Sequence, residues 1–163
     1  MKDTDFLNKL REEKKLSLVE PAEEVAISYE KKSKDCLSSA KLLFKGDLFE
    51  NSIGEAYYSI YNSIQSLFFK CGIKCENHSA TAILLKKVFR LDKMYITFSK
   101  AKEERVDKQY YVTAMQVKPV TKESSQDLII SAEKFILEIN SYKENLKLDE
   151  IKNIRKRFEE NQL

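Results

Sequence analysis

The sequence predicts an all-α protein, an up-and-down bundle of four to five main antiparallel helices with short terminal helices. Three observations carry that expectation. Only three Gly and two Pro occur in 163 residues, whereas a many-stranded β fold needs a turn every few residues. Apolar residues recur at helical spacing over several long stretches, which places them on one face. With 42% hydrophobic and 34% charged residues, the chain has enough apolar surface for one core and enough charge to solvate the rest. The length suits a single domain. Its core is expected over about residues 21–147, with an N-terminal arm at 1–20 and a charged helix or tail at 148–163.

Residues 1–15 mix charges with Phe6, Leu7 and Leu10, which suits a short helix or a frayed arm. Pro21 fits the first position of a helix, with Glu23 and Glu24 beside the positive end of its dipole. Val25, Tyr29, Cys36, Leu37, Ala40, Leu43 and Phe44 continue that helix, and Gly46 offers a stop. Asp47-Leu48-Phe49-Glu50 has the form of a capping box. The helix it would open carries the strongest stripe in the chain: Ile53, Ala56, Tyr57, Ile60, Ile64, Leu67, Phe68 and Cys71, closed by Gly72. So short a link between two long helices implies an antiparallel hairpin.

A polar connector over 74–79 leads to a shorter helix from about Ala80 to Leu91, with Ile83, Leu84, Val88 and Phe89 facing inward. Asp92 is placed to cap a fourth helix bearing Tyr95, Ile96, Phe98 and Ala101 and reaching about Val106. The helical period fades from Tyr111 to Val120, where Pro119 also stands, and a loop is expected there. Thr121 can cap a last long helix with Leu128, Ile129, Ala132, Phe135, Ile136, Ile139, Tyr142 and Leu146 on one side. Ile151, Ile154 and Phe158 give the charged C-terminal segment an apolar side.

Several function classes lack their sequence signals. There is no Gly-rich dinucleotide or phosphate loop and no nucleophile elbow. Cys71, Cys75 and the single histidine, His78, taken with or without Cys36, match no common zinc spacing, so no metal and no cofactor is expected. Cys71 is read as buried and Cys75 as exposed. No apolar run approaches the length that spans a bilayer. Met1-Lys2-Asp3-Thr4-Asp5 is followed by no apolar signal core. Three reduced thiols then suggest a cytoplasmic protein. The net charge of +3 is unevenly placed: from Lys86 to Lys122 ten Lys or Arg face four acids. Such a window attracts polyanions, although a solvated helix face gives the same pattern.

The sharpest motif is Glu55-Ala56-Tyr57-Tyr58-Ser59-Ile60-Tyr61. Tyr57 and Tyr61 share a face, and Tyr58 lies about 100° round the helix. Around it stand, in order, Ser38-Ser39-Ala40-Lys41-Leu42-Leu43, Gly46, Gly72, Asn77-His78-Ser79-x-Thr81, and Glu103-Glu104-Arg105-Val106-Asp107-Lys108-Gln109-Tyr110. Over about residues 30–145 this order resembles the HEPN family. The nearest branch reads Leu-Leu-x-x-Gly, Ala-Tyr-Tyr-Ala, a His-Ser/Gly turn and Arg-x-x-x-Asp-Tyr.

The resemblance implies a helical bundle, commonly a homodimer, often encoded beside a minimal nucleotidyltransferase as the toxin half of a toxin–antitoxin pair. Many members cut RNA without metal, using an Arg followed within four to six residues by His. Imidazole supplies a base near neutral pH and guanidinium holds the charged phosphate. Arg105 matches the arginine, but Tyr110 occupies the histidine position, and a phenol with a pKa of about 10 is a weak base. Val112 stands where some members carry a nucleotidylated tyrosine, and Gln109 where this branch has Asp.

The leading expectation is therefore RNA or nucleotide binding with weak or no catalysis. Arg105, Tyr110 and His78 are the catalytic candidates, and Tyr57, Tyr58, Lys102, Lys108 and Tyr111 the binding candidates. Glu55 could instead hold Arg105 in a structural ion pair. A metal-independent RNase, using Tyr110 or a His78 brought in by dimerisation, is the alternative reading. A non-catalytic protein-interaction module is the second.

Overall fold

The computed structural model describes residues 3–109 and 119–160, with side chains for all of these except 106–109. Among the described residues the chain forms seven helices and one two-stranded ribbon. In chain order these are α1 (Asp3–Glu12), β1 (Leu16–Leu18), α2 (Glu23–Lys45), α3 (Phe49–Lys70), β2 (Ile73–Cys75), α4 (His78–Lys87), α5 (Asp92–Gln109), α6 (Lys122–Asn145) and α7 (Leu148–Glu160). The all-α bundle expected from the sequence is the architecture found. No helix of the described residues is long and apolar enough to cross a membrane.

α3 is the central helix. Its expected stripe of Ile53, Ala56, Tyr57, Ile60, Ile64, Leu67 and Phe68 is fully buried, but so are Ser52, Ser59, Ser63 and Ser66 on other faces. A helix buried nearly all round must satisfy its polar side chains internally. Ser52 Oγ donates to the Ala40 carbonyl and accepts from Ser125 Oγ, while Ser33 Oγ donates to the Ser59 carbonyl. These short side chains let α2 and α6 approach α3 closely. Lys143 of α6, 6% exposed, reaches across to Glu30 of α2 at 2.6 Å and to Ser66 of α3 at 2.9 Å.

Several local expectations change. Pro21 does not begin α2. The N-cap is Ala22, whose N–H is taken by the Phe69 carbonyl, so the segment before the helix is tied to the end of α3. Asp47 does not cap α3. It takes the left-handed turn position (φ 58°), Leu48 becomes the N-cap, and no side chain caps it. Closing the α2 end explains this, because the Leu48 N–H must reach back to the Leu43 carbonyl. Asp92 is the first residue of α5. Thr121 does cap α6, exchanging bonds with Ser124. Val25 and Ile96 lie exposed and outside the core, whereas Cys75 is buried. Most of the loop expected over Tyr111–Val120 lies outside the described residues.

The connector after Gly72 contains a strand. β2 pairs antiparallel with β1, with Leu16 opposite Cys75 and Leu18 opposite Ile73. Gly72 is the hinge, at φ 69° with no room for a Cβ. The C-terminal segment is a docked helix, with Ile154 and Phe158 buried. Arg155 Nη1 donates to the carbonyls of Val19, Cys71 and Gly72, and Arg157 Nε to that of Val88. α7 thereby supplies donors to carbonyls just past the C-terminal ends of α3 and α4.

Candidate functional site

Three elements converge on one cluster. α3 supplies Tyr57, Tyr58 and Tyr61, the first residues of α4 supply His78 and Ser79, and α5 supplies Lys102 and Arg105. Local chemistry fixes the α4 start. Asn77 is its N-cap and accepts from the Ala80 N–H, while Thr81 Oγ1 donates back to the Asn77 carbonyl. β2 runs directly into this cap, and the Glu76 N–H bonds the Lys15 carbonyl at 2.8 Å. The position of His78 therefore follows from the ribbon.

The Arg105 guanidinium lies over both phenol rings, its Cζ 5.1 Å from the Tyr57 centroid and 4.8 Å from that of Tyr58. Its Nη2 donates to Tyr58 Oη at 2.9 Å. A cation against two ring faces gains from their quadrupoles and holds its direction. Tyr57 is fully buried, and its hydroxyl bonds His78 Nδ1 at 2.5 Å. Tyr61 stacks on the imidazole with centroids 4.1 Å apart, and Phe98 of α5 closes the far side of Tyr57. One helical turn before Arg105, Lys102 Nζ donates to Ser79 Oγ at 2.6 Å. A cavity of about 410 Å³ opens beside this pair, between Ser79, Ala82 and Ile83 of α4 and Tyr95, Ser99 and Lys102 of α5.

The electrostatics follow from burial and from the two cations. Burial first, then Arg105 and Lys102, push His78 down to about 4, so the ring is neutral at pH 7. Burial pushes the Tyr57 and Tyr61 phenols up, so neither ionises near neutrality. Desolvation lowers Lys102. The site thus combines two cations with neutral hydrogen-bonding aromatics. Glu55 does not lie in it: Glu55 flanks Cys36, whose thiol is pushed up to about 11 by burial first and by that carboxylate second.

Five expected residues, Tyr57, Tyr58, His78, Lys102 and Arg105, therefore come together within one chain. His78 reaches the arginine through Tyr57, without a second copy. Tyr110 and Tyr111 lie outside the described residues, as does the side chain of Lys108, whose backbone belongs to α5. Tyr61, Ser79 and Phe98 were not among the expected site residues. The four-residue spacing of Tyr57 and Tyr61 could have identified the first of them.

The family model described as HEPN domain matches residues 28–142, well over half of the chain and all of the described cluster. No curated protein matches it in sequence.

Proposed function

This chain belongs to the HEPN domain family, and from that premise we propose that it binds RNA or a nucleotide through phosphate groups at the Arg105–Lys102 cluster, without efficient cleavage. One observation carries the reading: Arg105 is held over Tyr57 and Tyr58 with Lys102 one turn away on the same helix. A half-buried guanidinium with fixed direction attracts a phosphate more strongly than a solvated one, because less water screens it and less freedom is lost on binding. The half-buried Tyr58 ring suits stacking against a base. Tyr110, Tyr111 and Lys108, which follow Arg105 in the sequence, complete the proposed binding set. Weak catalysis follows from Tyr110 in the usual histidine position and from an imidazole whose affinity for protons is low.

The chain would act in the cytoplasm as a homodimer, as HEPN domains often do, and as the toxin-side partner of a minimal nucleotidyltransferase. Leu42 of α2 and Leu137 of α6 are 68% and 72% exposed, on helices joined by a Lys41–Glu133 ion pair. They offer an apolar surface for such association. The runner-up is a metal-independent RNase, favoured by the linkage of Arg105 and His78 through Tyr57. The other alternative is a protein-interaction module that binds no nucleic acid.

Fluorescence polarisation with a labelled single-stranded RNA, run across a salt series with and without EDTA, tests the reading. Binding should weaken as salt rises, fall at least tenfold in Arg105→Ala, and leave the RNA intact. Cleavage in EDTA that disappears in Arg105→Ala would instead establish the RNase. Binding equal in wild type, Arg105→Ala and Lys102→Ala would remove the cluster from the function.

A further inference from the structure

The hydrogen bond between Tyr57 and His78 has a direction, and the neighbouring groups determine it. Arg105 packs over the Tyr57 ring, and its Nη2 donates to the neighbouring Tyr58 Oη. A guanidinium only donates, so the phenol proton must find an acceptor elsewhere. Among the described residues, His78 Nδ1 is the acceptor in reach. The reverse assignment, with Nδ1–H donating to Tyr57, would leave a fully buried phenol proton with no partner. The other groups facing the ring are Tyr58 and Tyr61 of α3 and Lys102 and Arg105 of α5. Ring contacts leave Nδ1 to Tyr57, and among the described residues no group bonds Nε2.

We propose that Tyr57 is a positioning residue that fixes His78 as the neutral Nε2–H tautomer, so that the ring offers an uncharged N–H donor to a phosphoryl oxygen held by Arg105 and Lys102. The tautomer stands on the geometry alone, whereas the donor role rests on the phosphate-binding reading above. His78 in this state takes no proton from a ribose hydroxyl. Nδ1 already accepts one hydrogen bond and Nε2 already carries hydrogen. Two cations and one neutral donor would instead surround the phosphate, recognising it without a base poised to start cleavage.

His78 is the only histidine, so a long-range proton–nitrogen spectrum of the uniformly labelled full chain reports on it without ambiguity. The expected result is an acceptor-type Nδ1 and a protonated Nε2, unchanged from pH 8 to pH 5. Tyr57→Phe should move both nitrogens toward the averaged values of a mixed tautomer. An Nδ1–H pattern in the wild type, or a titration near the ordinary pKa of about 6.5, overturns the assignment. Should Tyr57→Phe fail to fold, the wild-type spectrum decides alone. Addition of a uridine oligonucleotide should then shift the Nε2 resonance. If the oligonucleotide binds through Arg105 but leaves Nε2 unmoved, the donor role falls while the binding reading stands. If it does not bind at all, both the reading and the donor role fall, and the tautomer is judged on the free protein.

Discussion

Breaking one ion pair from its two ends should have unequal consequences. Lys143 and Glu30 bond at 2.6 Å, yet the lysine side chain is 8% exposed and the carboxylate side chain 29%. Glu30 also holds Lys34 at 2.7 Å, whereas among the described residues Lys143 has only Ser66 Oγ besides. In Glu30→Ala the ammonium stays buried among α2, α3 and α6 with a single neutral acceptor. An uncompensated buried charge costs about 3–5 kcal/mol, and partial escape of the long side chain to water brings this to roughly 2–3 kcal/mol. In Lys143→Met the stem volume is kept and the charge removed, while Glu30 retains water and Lys34. The loss should be about 1 kcal/mol or less. Urea denaturation followed by circular dichroism would separate the two, and the corresponding drops in Tm are about 4–12 °C and at most about 4 °C. Equal losses, or a larger one in Lys143→Met, would refute the assignment of the cost to the buried ammonium.

Three further outcomes follow from the same geometry. Gly72→Ala should destabilise severely, by about 3 kcal/mol or more, because a Cβ there would sit 2.4 Å from the Val19 carbonyl at a left-handed φ of 69°; a thermal melt like that of the wild type would contradict this. Arg155→Met should cost roughly 2–3 kcal/mol by stranding the carbonyls of Val19 and Cys71 and leaving that of Gly72 to the Val19 N–H alone, and exchange protection in α7 should fall with it. Acidification should weaken the fold in two windows. The folded His78 ring resists a proton that the unfolded chain accepts, so stability falls as pH drops from about 6.5 to about 4. The limit is about 3 kcal/mol, reduced to about 1–2 kcal/mol by the ring's partial exposure. Glu30, held down at about 2 by its bonds to Lys143 first and Lys34 second, loses its contribution between about 4.5 and 2. His78→Gln should flatten the upper window alone in pH-dependent urea titrations.

The helical elements were legible because each long stripe recurs with one period. Ile53, Tyr57, Ile60, Ile64, Leu67 and Phe68 need nothing beyond that spacing to be placed inside. The ribbon was not legible, since Leu16–Leu18 and Ile73–Cys75 are too short to establish a period of two. Asp47 carried a misleading signal: the same residue type that caps helices also tolerates the left-handed turn, and closing α2 took precedence. The buried serines of α3 look solvent-facing in a list of residues, and only their bonds to neighbouring helices explain their burial. Within the cluster, Tyr57, Tyr58 and Arg105 could be named from their types and order. That His78 meets them within one chain depends on a strand pairing between segments far apart in sequence, which local pattern does not reveal.

The N-terminal arm thus has a part in placing His78. Leu7 and Leu10 anchor it, Arg11 rests on the Phe158 ring, and the Lys15 carbonyl holds the residue two places before the imidazole. A change that loosens this arm would let the His78 ring swing relative to the guanidinium without altering either residue. Substitutions such as Leu16→Ala would then mimic mutations in the proposed binding surface, and the geometry of that cluster would be set partly by a segment that contributes no side chain to it.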